Sequence, residues 1–115
     1  MDCIFKVHKA LGPGLLESVY EECVYYELSQ TGLMIERQKP LPLIYKGERL
    51  EAGYRVDVLI ESKLILEIKA MEALNDVHRA QLITYLKLSG CKLGLLVNFN
   101  VSLIKEGIKR IVYNL

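Results

Sequence analysis

The sequence lacks an excess of charge of either sign, since its 115 residues carry 15 basic and 14 acidic side chains. A formal net charge of +1 excludes the polybasic class of proteins, which attract nucleic acids or membrane surfaces by bulk positive charge. Any nucleic-acid site in this chain must therefore be local and formed by a few residues.

Long hydrophobic runs, repeats and linkers are also missing. No run approaches the ~20 apolar residues of a spanning helix, and charges interrupt the apolar stretch near the N-terminus, which does not resemble a signal peptide. With 51% hydrophobic residues, the chain is too apolar to be disordered. We expect a soluble, cytoplasmic protein without a membrane partner, in which residues 1–115 form a single domain.

Cysteine is scarce, and its positions are far apart in the chain. Cys3, Cys23 and Cys91 are odd in number and include no CxxC pair. This pattern argues against a disulfide framework and favours reduced thiols in the core over metal or redox use.

Glycine and proline divide the chain into helices and strands. Helices are predicted over residues 2–11, 15–30 and 76–89, with a helical turn over 101–106. Strands are predicted over residues 34–45, 52–60, 64–70, 93–98 and 108–113. Pro40 and Pro42 favour a sheet edge or a bulge for the first strand, because proline cannot donate to a ladder. This order predicts an α/β (α+β) protein with a small mixed sheet packed against helices.

The two central strands carry polar residues on one face. In the strand over 52–60, the even-numbered residues (Tyr54, Val56, Val58 and Ile60) form an apolar face, and Asp57 points to the other side. The strand over 64–70 likewise places Glu67 and Lys69 at odd positions. If a three-residue loop joins Ile60 to Leu64, Asp57 falls opposite Glu67.

Two facing carboxylates repel each other unless a proton or a cation lies between them. A divalent metal such as Mg²⁺ or Mn²⁺ meets this need, and it completes its shell with water and substrate phosphate. The ammonium group of Lys69 can then reach the same phosphate. The alternative is a solvated hairpin face that carries ordinary charges.

The second helix presents an acidic residue toward the core. Helical spacing predicts that Glu17 lies on the flank that meets the core, whereas Glu21 and Glu22 lie on the solvent face. A carboxylate in this position needs a partner, which a metal or an arginine such as Arg55 would provide. The alternative is that Glu17 is a first-turn acid that interacts favourably with the helix dipole.

The helix over 76–89 directs Gln81 and Tyr85 toward the sheet. They position a phosphate or a water, or they form a buried hydrogen-bonded pair. His8 and His78 are 70 residues apart and have no metal-ligand spacing, so packing or surface roles are favoured for both.

Taken together, these residues resemble a known pattern. Residues Gly14–Tyr20 read GxxExxY, and Asp57, Glu67-Ile68-Lys69 and Gln81-x-x-x-Tyr85 follow in order. The chain is similar to the GxxExxY family of the PD-(D/E)XK, or restriction-endonuclease-like, nuclease superfamily. The resemblance implies an αβββαβ core, with a central mixed four-stranded sheet flanked by helices.

The resemblance also implies a Mg²⁺-dependent nuclease, with Mn²⁺ able to substitute. Asp57, Glu67, the backbone carbonyl of Ile68 and Glu17 would be metal ligands, Glu17 directly or through water. Lys69 would activate the attacking water or stabilise the transition state. Gln81 would act with these catalytic residues, and Tyr20 and Tyr85 would position the substrate.

The expected substrate is DNA, with RNA not excluded. The alternative is a catalytically silent nucleic-acid-binding or regulatory subunit on the same fold, because the minimal core leaves no obvious insertion for target recognition. A homo-oligomer or a larger assembly would supply the missing surface.

Overall fold

Five strands form one mixed sheet in the order β1-β2-β3-β4-β5. The structure is a computed structural model that describes residues 1–114, and Leu115, the last residue of the expected domain, lies outside the described residues. The strands are β1 (Ile35–Tyr45), β2 (Glu48–Ile60), β3 (Leu64–Lys69), β4 (Leu93–Asn98) and β5 (Ile108–Val112). The helices are α1 (Asp2–Leu11), α2 (Glu17–Ser29), α3 (Asp76–Ser89) and α4 (Ile104–Gly107).

The strand pairing agrees with the expected core and extends it. The β1–β2, β2–β3 and β4–β5 pairs are antiparallel, and β3–β4 is parallel. The elements from α2 to β4 follow the αβββαβ order, with α3 as the crossover that a parallel pair requires. The resemblance implies a four-stranded sheet, but the observed sheet has a fifth strand. This strand, β5, pairs with the open side of β4, and the sequence pattern predicts it over residues 108–113.

The first strand lies at the edge of the sheet, as its prolines predict. Its register with β2 shifts between Leu41 and Leu43, at Pro42. The following turn is tighter than expected, since Tyr45 pairs directly with Glu48. β2 therefore begins at Glu48, before the predicted start at residue 52.

Helices pack on both faces of the sheet and enclose two cores. The first core joins α1 and α2 to the sheet, and its largest fully buried members include Tyr20, Ile68 and Phe99. The second core joins α3 to the opposite face, and Ile65, Leu82, Leu86 and Leu96 belong to it. The three cysteines are free thiols that contact these cores, as predicted, with Cys91 buried and the other two half-buried.

The even-numbered residues of β2 do not all share one core, so that prediction was wrong. Val58 and Ile60 pack with α1 and α2, whereas Tyr54 and Val56 pack with the α3 core. The change falls at Asp57, where the β3 ladder ends and β2 continues with β1 alone. Two-stranded ribbons twist more than wide sheets, which changes the core that each strand face meets.

Both histidines have structural roles. Nε2 of His8, a buried residue, donates to the Val101 carbonyl oxygen at 2.8 Å, which fastens α1 to the segment after β4. His78 accepts from the backbone N–H of Asn75 in the capping box of α3. These contacts agree with the reading of both residues as packing or surface groups.

We predict that Gly107→Ala lowers the free energy of unfolding by about 3 kcal/mol, because overpacking against backbone cannot be relieved by a rotamer change. A methyl group at this position would lie 2.1 Å from the Asn98 carbonyl oxygen. Gly47→Asn is the control, since no atom lies within 4 Å there and asparagine tolerates its φ of +80°. Urea unfolding of the two variants tests this, and equal losses would contradict it.

Candidate metal and active site

Asp57 and Glu67 face each other where the β2–β3 ladder ends. The register runs from Ile60 opposite Leu64 to Val58 opposite Leu66, where the ladder ends, and its continuation would set Asp57 opposite Glu67. The predicted loop length and register are therefore confirmed. We call the group formed by Asp57, Glu67 and the peptide of Ile68 the strand fork.

Side chains replace the backbone ladder at the strand fork. The backbone N–H of Asp57 donates to Oε1 of Glu67 at 3.1 Å, and the N–H of Ile68 donates to Oδ2 of Asp57 at 2.8 Å. Each carboxyl group thus accepts a backbone N–H from the opposite strand. These bonds fix both side chains and separate the strands at the point where the acids meet.

Glu67 is the most strongly perturbed acid of the site. Only 4% of the residue is exposed, because it lies on the α3 face of the sheet beside Ile65. Burial, followed by the charge of Asp57, raises the pKa of Glu67 to about 9. The backbone N–H of Asp57, which donates to Glu67, opposes this shift, but burial and charge prevail, so Glu67 keeps its proton where no cation balances the charge.

Lys69 follows on the same strand and is half-buried. Its positive charge lowers the pKa of both Glu67 and Glu17, although burial prevails and both remain raised. The Lys69 carbonyl oxygen accepts from the backbone N–H of Phe99 in a 2.9 Å bond, which ties the end of β3 to the chain after β4. The effect of its charge on both pKa values shows that the Lys69 ammonium group lies in the same site as Glu67 and Glu17.

Glu17 is the first residue of α2 and lies beside the strand fork. Glu17 is exposed as a residue, contrary to the prediction that it lies on the flank that meets the core. Partial burial of its carboxyl group is still the main cause of its raised pKa; Lys69 and the backbone of Ala70, just beyond β3, oppose the shift, and Asp57 adds to it. The arginine expected as an alternative partner, Arg55, forms no ion pair with Glu17 among residues 1–114.

Glu21 is buried, so the prediction that it lies on the solvent face was wrong. Only 9% of the residue is exposed. Its carboxylate accepts from Nε of Arg37 at 2.8 Å and from Nε2 of Gln38 at 2.7 Å. Both partners belong to β1, which packs beside α2, and helical periodicity alone does not predict which strand covers a helix face.

Gln38 is a residue at the site that sequence reasoning missed. Its Nε2 also donates to Oδ1 of Asp57 at 3.2 Å. The φ of Gln38 is +52°, a left-handed conformation that costs a non-glycine residue on the order of 1 kcal/mol. Its flanking residues, Arg37 and Lys39, pair with Val58 and Val56, which places Gln38 across from Asp57. Only the pairing register of β1 with β2 indicates that Gln38 lies near Asp57.

Tyr85 reaches the acids from α3. Burial, and after it the charges of Glu67 and Asp57, raise its pKa to about 12. Its ring meets the edge of the Tyr54 ring at a centroid distance of 5.9 Å. Gln81 lies one turn earlier and is half-buried, and its amide forms no hydrogen bond within the described part of the chain.

Tyr20 lies away from any substrate surface, because none of its side chain is exposed. Its hydroxyl donates to the Gly12 carbonyl oxygen at 2.5 Å and accepts from the Leu15 N–H at 3.1 Å, and its ring stacks on Phe99. These contacts fix the loop that leads into Glu17. The expected contact between Tyr20 and substrate is thus replaced by an indirect role in placing Glu17.

Family comparison agrees with this fold. A family model described as the PD-(D/E)XK nuclease superfamily matches residues 1–111. The chain belongs to the PD-(D/E)XK nuclease superfamily. No match was found among curated proteins or among solved structures. Within residues 1–114, no helix has the length and apolar character needed to cross a membrane.

The donor set of this PD-(D/E)XK protein fits a hard divalent cation. In the described part of the chain, no three acids, histidines or cysteines converge closely enough to hold a metal, so Glu17 does not complete a cluster with Asp57 and Glu67. Mg²⁺ commonly uses only one or two carboxylates and retains several waters. The carboxyl groups of Asp57 and the buried Glu67 are the oxygen ligands such an ion would take.

The metal-free protein should lose stability as the pH rises, because folding raises the pKa of Glu67 from 4.5 to about 9. The protonated acid favours folding at low pH, and this contribution is lost progressively between these two values. At pH 8 in EDTA, Glu67→Gln should be more stable than the wild type, on the order of 2 kcal/mol. At pH 4 the difference should vanish in thermal unfolding, and a difference independent of pH would contradict this account.

Proposed function

We propose that this protein is a metal-dependent nuclease of the GxxExxY branch, which hydrolyses phosphodiester bonds in DNA with Mg²⁺ or Mn²⁺. The observation that carries the proposal is the strand fork, where hydrogen bonds to the opposite strand hold the carboxyl groups of Asp57 and the buried Glu67 beside Lys69. Nuclease chemistry needs a cation at a phosphate together with a group that stabilises developing charge. The strand fork and Lys69 supply these two elements.

The proposed metal ligands are Asp57, Glu67 and the carbonyl oxygen of Ile68. Since the N–H of Ile68 donates to Asp57, its backbone faces β2. Neighbouring strand residues face opposite sides, and the Lys69 carbonyl accordingly bonds toward β4. The N–H and C=O of one strand residue point to the same side, which supports an Ile68 carbonyl directed into the site. Glu17 would act on the metal through water.

A bound Mg²⁺ would polarise the phosphate and make an attacking water more acidic. The protein's own groups would complete the reaction. Lys69 would place its ammonium against the phosphate and stabilise the charge that develops in the transition state. Glu17, beside Lys69, would orient the attacking water.

Tyr85 and Gln81 would line the path of the substrate from α3. The pKa of Tyr85, raised to about 12, keeps its hydroxyl protonated at neutral pH, so it can donate to a phosphate oxygen or to a water. The half-buried amide of Gln81 adds donors on the same face of the helix. Neither residue needs to change its charge during the reaction.

Cleavage assays test the proposal with supercoiled plasmid, single-stranded DNA and RNA in Mg²⁺ or Mn²⁺. Lys69→Ala should lower the rate at least about 100-fold, because it removes a charge from the transition state. Lys63→Ala is the matched control, since this lysine is exposed in the loop between β2 and β3. EDTA should abolish cleavage.

Equal residual activity in wild type, Lys69→Ala and EDTA-treated protein would contradict nuclease function. Metal-independent DNA binding without turnover would favour the alternative, a silent nucleic-acid-binding or regulatory subunit. The substrate that is cut fastest would identify DNA or RNA as the natural class.

Tyr85→Phe should lower kcat about tenfold and leave thermal stability close to that of the wild type. The substitution removes one hydrogen-bond donor while the ring keeps its contact with Tyr54. Steady-state kinetics and a thermal melt measure the two effects. A variant with wild-type kcat would exclude the Tyr85 hydroxyl from the reaction.

A further inference from the structure

A continuous series of polar side chains leads from β1 to the strand fork. Nε of Arg37 donates to Oε2 of Glu21 at 2.8 Å, and its NH1 group bonds Glu22 at 2.7 Å. Glu21 in turn accepts from Nε2 of Gln38 at 2.7 Å, and the same nitrogen donates to Asp57 at 3.2 Å. One end of this series is a surface ion pair, and the other end is a carboxyl group of the strand fork.

The amide of Gln38 holds the one oxygen of Asp57 that the backbone does not hold. Oδ2 of Asp57 accepts from the N–H of Ile68, and Oδ1 accepts from Gln38. Two donors from different strands fix both the position and the rotation of the carboxyl plane. Each carboxylate oxygen has a second lone pair, so a cation can bind without displacing either donor.

An amide suits this position because it donates hydrogen bonds without carrying charge. A lysine or arginine here would neutralise Asp57 and compete with a cation for it. Glu21 orients the amide by accepting one of its hydrogens, and Arg37 neutralises Glu21, so the buried acid next to Gln38 is balanced by a cation of its own. The negative charge of Asp57 is thus left for the metal.

The backbone of Gln38 supports a functional reason for its side chain. Its φ of +52° is a conformation in which glycine would be unstrained. The residue is nevertheless a glutamine, and its side chain reaches Asp57 on the opposite strand. Backbone strain that persists beside a site is a mark of residues held there for function.

We propose that Gln38 is a positioning residue, which with Glu21 and Arg37 fixes the Asp57 carboxylate for a divalent metal. This inference rests on the proposed nuclease function. It adds that the geometry of the metal site is set from β1 and α2, outside the Asp57 and Glu67-Ile68-Lys69 motif. Residues that orient a metal ligand typically change metal affinity 10–100-fold when they are removed.

The test is Mn²⁺ titration calorimetry on the 115-residue wild type and Gln38→Gly, with thermal melts in EDTA. Gln38→Gly should bind Mn²⁺ about tenfold more weakly, yet melt close to the wild-type temperature, because the relief of strain offsets the lost hydrogen bond to Glu21. Lys46→Gly is the matched control. Its φ is +51°, but it lies in the β1–β2 turn. It should show the same relief of strain with unchanged Mn²⁺ affinity.

The outcomes separate this inference from the proposed function. If the wild type binds no Mn²⁺, the metal-dependent function fails, and the inference fails with it. If Gln38→Gly binds Mn²⁺ as the wild type does, only the inference is overturned. A large loss of melting temperature with unchanged affinity would also overturn it, since Gln38 would then only hold β1 to α2.

A second variant keeps the test decisive if Gln38→Gly does not fold. Gln38→Asn retains an amide and tolerates the left-handed backbone, but it is one methylene too short to reach both Glu21 and Asp57. It should weaken Mn²⁺ binding several-fold at unchanged melting temperature. Wild-type affinity in this variant would overturn the inference.

Discussion

The structure of the site depends on the repulsion between two carboxyl groups at the end of a ladder. Asp57 and Glu67 lie opposite each other because a three-residue loop sets the register of β2 and β3. Each accepts a backbone N–H from the other strand, and a proton on Glu67 relieves the repulsion when no cation is present. This arrangement favours the metal-free fold at low pH and offers two oxygen ligands to a metal that displaces the proton.

The remaining elements position groups around this pair. The stacked and hydrogen-bonded Tyr20 fixes the loop before α2, and that loop sets the position of Glu17 beside β3. From the other face of the sheet, α3 brings Tyr85 to the same acids. The edge strand β1 contributes Gln38, which connects Asp57 to the buried Glu21. Five elements thus meet at a site whose Asp57 and Glu67-Ile68-Lys69 motif occupies only two of them, β2 and β3.

Local patterns in the sequence predict the fold well, and contacts between distant elements are the part they miss. Glycine stops and proline positions predict the helices and the edge strand, and the loop length predicts the register of Asp57. Periodicity fails for Glu21, because a carboxylate that pairs with β1 looks the same as a solvated one. It also fails for Gln38, whose role depends on a register and a left-handed φ that no motif encodes. The fifth strand lay outside the resemblance, which implied four.

The most direct test of the central claim is anomalous scattering from a crystal of the protein soaked in Mn²⁺. We expect one peak between the carboxyl groups of Asp57 and Glu67, within bonding distance of the Ile68 carbonyl oxygen. The same soak of Glu67→Gln should show a weaker peak or none. A well-ordered wild-type crystal with Mn²⁺ elsewhere, or with none at the strand fork, would contradict the account.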